Sequence, residues 1–176
     1  MRKALFSAVL VLLATTVSAF HLKVQGVVTD HLTREPLEGV LVRIYKDGRK
    51  ISAETTGPGG RYYAVLENHH EYVVRFSGNG LATKSFTVAT QGLEWQGEDG
   101  QKTLTVEMTM VEQLTGVDLS VFDLPMGRAR FEPATGLTTW DTEYDRSIRG
   151  QVEEAMGLWW RRMHETAALE QAVRRD

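Results

Sequence analysis

The sequence contains no cysteine. That excludes a disulfide-held scaffold, a thiolate metal site, a cysteine nucleophile and a lipid-anchoring cysteine. Proline is scarce, at 4 in 176 residues, and 42% of residues are hydrophobic against 24% charged. This composition excludes collagen-like, low-complexity and wholly disordered chains. There is no excess of positive charge, the formal net charge being −3, so no global basic field points to nucleic acid. After the first nineteen residues no apolar run is long enough to cross a bilayer, which takes about 20 residues. The sequence also lacks a Gly-x-Ser-x-Gly elbow, a His-Glu-x-x-His pair and a phosphate-binding loop, so no catalytic residue and no cofactor is expected.

What is present begins with a leader. Arg2 and Lys3 precede an uncharged stretch from Ala4 to Val17, and Val17-Ser18-Ala19 places small residues at the positions a signal peptidase reads. Residues 1–19 therefore read as a secretory signal peptide. The expected product begins at Phe20 and is exported, periplasmic or secreted, without a lipid anchor.

From Leu22 to Met110 the chain is a series of short β-rich runs separated by turn signals. Val40, Val42 and Ile44 share one face at period two, as do Tyr72, Val74 and Phe76. Asp47-Gly48 is a strong hairpin signal, because a type I′ turn needs positive φ at both central residues. Seven strands are expected, at 22–29, 40–46, 51–56, 61–66, 71–77, 82–88 and 103–110. Their spacing predicts an antiparallel β-sandwich, Ig-like or transthyretin-like, over 20–110. Residues 111–141 read as an extended linker with a short hairpin across Pro133-Ala134-Thr135-Gly136. From Thr142 the period becomes 3.6, and Ile148, Val152, Ala155, Trp159 and Met163 form one stripe. A single amphipathic helix is expected over 142–175, with Thr142 and Asp145 in the form of a capping box.

The opening of the sandwich carries a resemblance. Gly26-Val-Val-Thr-Asp30 is followed by Arg34-Glu-Pro36-Leu37-Glu-Gly39-Val40-Leu-Val42, and later by Thr56 and Gly60-Arg61-Tyr62. This resembles the carboxypeptidase regulatory-like domain, a transthyretin-like sandwich, over about Lys23 to Met110. Two positions depart from the usual pattern: Gly57 stands where Asp or Asn is usual, and Arg34 where Gly is common. The resemblance implies a non-catalytic module of exported and envelope proteins, and some structurally similar folds bind glycans.

Three groups of residues are candidates for function. Trp159, Trp160, Arg161 and Met163 combine indole, guanidinium and thioether groups of the kind protein interfaces favour, which suggests contact with an envelope protein or self-association; the alternatives are a helix docked within the protein, with one indole packed on the sandwich and the other left outside, or contact with a membrane surface. Tyr63 and Trp95 offer aromatic faces that stack on sugars, so a small carbohydrate-binding module is the alternative. His69, His70 and Glu71, with Glu67 nearby, form a metal-like cluster, but adjacent strand residues point to opposite faces, and a polar turn explains them better.

Overall fold

The computed structural model describes residues 21–91, 101–132 and 137–174. The expected leader, Trp95 and the turn expected at 133–136 lie outside these. Among the described residues ten strands, one short 3-10 helix and one long α-helix follow in order. They are β1 His21–Asp30, β2 Leu41–Lys46, β3 Arg49–Thr55, β4 Arg61–Glu67, β5 Glu71–Ser77, β6 Lys84–Ala89, β7 Gln101–Thr105, β8 Met108–Met110, the 3-10 turn Ser120–Asp123, β9 Pro125–Glu132, β10 Leu137–Trp140 and α1 Thr142–Val173.

The strands form two sheets. One holds β4, β1 and β7, with β8 also on β1; the other runs β10-β9-β6-β5-β2-β3. Alternation along each strand sends one set of side chains between the sheets. In β4 these are Tyr62, Ala64 and Leu66, and in β5 Tyr72, Val74 and Phe76, all buried. They meet Leu22 and Val24 of β1 and Phe86 and Val88 of β6 in one core.

The sheets are mixed, which corrects the expectation of antiparallel pairing throughout. β1 runs antiparallel to β4 but parallel to β7 and β8, and β6 runs parallel to β9. Alternation reveals which face of a strand is buried, not the direction of its neighbour. Here the chain repeatedly changes sheet, so β7 returns beside β1 in the same direction. The expected last strand, 103–110, is divided into β7 and β8. At the break the Val106 carbonyl crosses Gly26 so closely that a Cβ there would lie 1.7 Å from its oxygen. Glycine is the residue that admits such an approach.

Asp47 and Gly48 have φ of 48° and 79°, as the hairpin between β2 and β3 requires. Thr56 is buried and ties two segments together: its hydroxyl donates to the Leu37 carbonyl at 2.7 Å and accepts from the Val40 N–H at 3.0 Å. Residues 111–141 contribute the 3-10 turn and the β9–β10 hairpin, and β9 extends the larger sheet beside β6.

Candidate functional site

The helix begins on a cap supplied by Asp141, whose Oδ1 accepts the Glu143 and Tyr144 N–H groups at 3.1 and 3.0 Å. This corrects the expected Thr142 capping box by one residue. Tyr144 then anchors the first turn, its hydroxyl donating to the Pro125 carbonyl at 2.8 Å while its ring lies under the Arg128 guanidinium at 3.8 Å.

The apolar stripe docks on the sandwich as its period implies. Ile148, Ala155 and Trp159 are buried, and Val152, Met156 and Met163 are partly so. They cover a second core made of Ala82, Val111, Val117, Leu119 and Phe122. Trp159 is its largest member, and its indole N–H donates to the Glu112 carbonyl at 2.8 Å. Trp159 and Met163 therefore face the protein's own interior. Trp159, fully buried, is not available as a partner contact, whereas Met163 stays half-buried; residues at stripe spacing are spent on intramolecular docking.

Trp160 points about 100° away from Trp159 and remains 42% exposed. Its ring lies 6.1 Å from both His31 and His164, stacked on the latter. Arg161 is exposed. Arg162 reaches back to the Thr115 carbonyl and to Glu165, each at 3.3 Å. From His164 onward every helical residue whose side chain is described is exposed, including Leu169 at 65% and Val173 at 76%. The helix thus has a docked part and a projecting part.

The second candidate, Tyr63, is 60% exposed on edge strand β4. It stands opposite Gln25, which in turn faces Thr105, so the outer face of the smaller sheet carries an aromatic shelf beside polar neighbours. The histidine-rich turn is occupied by local contacts. His70 Nδ1 lies 2.6 Å from Asp47 Oδ2, Glu67 pairs with Lys46, and His69 occupies a left-handed conformation at φ 63°. Among the described residues no three His, Asp or Glu side chains are grouped to hold a metal.

Between the sandwich and α1 lies a cavity of about 520 Å³. Phe86, Phe122, Met126, Trp140, Val152 and Met156 give it apolar walls. His31, Lys84, Glu107 and Asp145 add charged or titratable groups. Lys84 is only 6% exposed. Its ammonium donates to the Thr109 carbonyl at 2.8 Å and sits 4.4 Å from the centre of the Phe122 ring. Burial, aided by the Arg34 charge, pulls Lys84 down to about 8. Burial also lowers His31, and the Lys84 and Arg34 charges add to that, against a weaker opposite pull from Asp30. No pattern in the sequence marks these residues, because they come from a turn, the start of a strand, a β-break and a helix.

No protein-family model matches the chain, and no curated relative matches it. Among solved structures, 3-chlorocatechol 1,2-dioxygenase from Rhodococcus opacus is similar at 10% identity and a TM-score of 0.41, over 54% of this chain and 61% of that one. The full-length major pilin SpaD from Corynebacterium diphtheriae is similar at 15% identity and 0.39, over 55% of this chain and 32% of the pilin. A putative membrane-associated protein of unknown function from Bacteroides fragilis is similar at 18% identity and 0.37, over 56% of this chain and 30% of that protein. The chain thus spans less than two thirds of each of these proteins. None of these likenesses assigns it a family or an activity.

Proposed function

We propose that this chain is an exported, non-catalytic β-sandwich module of the cell envelope that binds a protein partner through the projecting end of its C-terminal helix. One observation carries the reading. The helix has 32 residues, about 48 Å at 1.5 Å per residue, yet its buried and half-buried stripe ends at Met163. Beyond that point Leu169 and Val173 remain in solvent. Leu158 is also exposed, and it shares a face with Leu169, because eleven residues complete just over three whole turns. Exposed apolar groups spaced along one helix face suit insertion into a groove or packing against another helix. The export signal and the resemblance to carboxypeptidase regulatory-like domains support the envelope setting and the absence of catalysis.

Trp160 and Arg161 lie at the base of this projection and form the rim of the contact. The sandwich and the docked half of the helix act as a rigid mount. The test is removal of residues 165–176, which leaves the second core covered. The shortened protein should keep its thermal midpoint and lose capture of the envelope partner. Unchanged capture overturns the reading.

A carbohydrate-binding role at Tyr63 is the second reading, supported by the exposure of that ring beside Gln25. Retention on polysaccharide that is lost in Tyr63→Ala, with the helix end intact, would favour it.

A further inference from the structure

The cavity under α1 has features that neither the sandwich nor the helix needs. A lysine ammonium buried against an aromatic ring normally has a carboxylate partner, because removing a charge from water is costly. Lys84 has none among the described residues; one of its three donors is used, by the Thr109 carbonyl. Arg34, a like charge, pushes on Lys84, and both push on His31 against a weaker pull from Asp30. The nearby carboxylates are engaged elsewhere. Asp30 accepts the Leu32 and Thr33 N–H groups of its own turn at 2.8 and 2.9 Å, and Glu107 accepts the Thr29 hydroxyl at 2.9 Å. Arg34 itself holds a left-handed backbone, φ 62°, which is unfavourable for a side chain of this size.

Among the described residues two buried polar atoms also lack a hydrogen-bond partner, His31 Nδ1 and Asp145 Oδ1. Both residues line this cavity. They belong to separate ends of it. His31 packs edge-on against Trp159 at 5.8 Å, and Asp145 lies fourteen residues earlier on the helix, about 21 Å along its axis. Between them Val152 and Met156 of the helix face Phe86, Phe122 and Met126. The cavity is therefore elongated. It has a cation without a paired carboxylate, an apolar middle and an acceptor without a donor at the far end. The volume is within the range typical of small-molecule sites.

We infer that this cavity binds an elongated amphipathic carboxylate that carries a hydrogen-bond donor at its opposite end. The carboxylate pairs with the Lys84 ammonium, and the positive charge of Arg34 adds to its attraction. The apolar body lies against Phe86, Phe122 and Met156. The terminal donor, a hydroxyl or an ammonium, meets Asp145. This site is distinct from the projecting helix end, so either can fail without the other.

The experiment uses 12-hydroxydodecanoate as the probe, titrated calorimetrically into the purified protein below its micellar concentration. Dodecanoate, dodecanol and dodecylammonium serve as comparisons. Saturable one-to-one binding is expected, weaker at least tenfold for dodecanol and for dodecylammonium. Lys84→Met should weaken 12-hydroxydodecanoate at least tenfold, and Asp145→Ala should erase its advantage over dodecanoate. Met156→Trp narrows the cavity while leaving every charge in place, so it must also abolish binding; it decides the matter should Lys84→Met fail to fold. The inference is overturned if the probe does not saturate, if dodecylammonium binds as tightly, or if folded Met156→Trp binds unchanged.

Discussion

The indole N–H of Trp159 donates to the backbone carbonyl of Glu112 at 2.8 Å, joining positions 47 residues apart in the chain. This contact fixes the helix to the segment that follows the sandwich. It also closes the second core, where Trp159 is fully buried beside Val111, Phe122 and Ala155. Trp159→Ala should cost about 3–5 kcal/mol, the range for removing a buried large aromatic. Trp159→Phe keeps most of the apolar area but leaves the Glu112 carbonyl without its donor, so a smaller loss of about 1–3 kcal/mol is expected. Urea midpoints of the two variants check this order.

Lys84 should make stability depend on alkaline pH. In the folded protein its ammonium is pulled down to about 8, against an ordinary value of 10.5. Between those values the unfolded chain holds a proton that the folded chain has released. Stability therefore rises with pH across that window. At pH 7 the charged form is present in both states, and the full burial cost is felt. Against Lys84→Met, the wild-type protein should gain on the order of 1–3 kcal/mol between pH 7.5 and 10. The tyrosine contributions, which act in the opposite direction, cancel in that difference. A difference independent of pH would contradict the assignment.

Gly26→Ala should be severely destabilising. A Cβ at that position would lie 1.7 Å from the Val106 carbonyl oxygen and 3.1 Å from the Tyr62 ring. Neither can retreat freely, because the Tyr62 hydroxyl donates to that same carbonyl at 2.7 Å. Gly48→Ala has no steric neighbour and meets only its left-handed φ of 79°, so it should cost about 1–2 kcal/mol. Thermal midpoints should rank the two variants accordingly.

Asp141→Ala should cost about 1 kcal/mol by freeing the Glu143 and Tyr144 N–H groups. Thr142→Ala should cost less, since Thr142 is not the cap. Amide exchange in the first helical turn distinguishes them.

Much of the fold was legible in the sequence because it rests on periodicity. The alternation of Tyr72, Val74 and Phe76, and the stripe from Ile148 to Met163, each report directly which face is buried. Glycines at 26, 48 and 60 mark backbone demands that local residues reveal. Sheet direction was not legible, because β1 and β7 are brought together by crossings between sheets rather than by a local turn. The inward role of Trp159 followed from its stripe, but its composition, beside Trp160 and two arginines, suggested an interface instead. The cavity was not legible at all. Lys84 looks like a charge at a strand end, and only the packing of α1 over it makes it a buried cation. Arg34 holds a φ of 62°, a conformation that glycine adopts more readily than a long side chain.

The central claim is that the projecting helix end is the contact surface. It is tested most directly by placing a photo-crosslinking amino acid at Leu169 and, separately, at Tyr63 and Glu154, in the protein expressed in its own envelope. One defined protein adduct is expected from position 169, none from exposed position 154 on the docked half of the helix, and none from position 63. One defined protein adduct from Tyr63 and none from Leu169 would place the contact on the sandwich and contradict that claim.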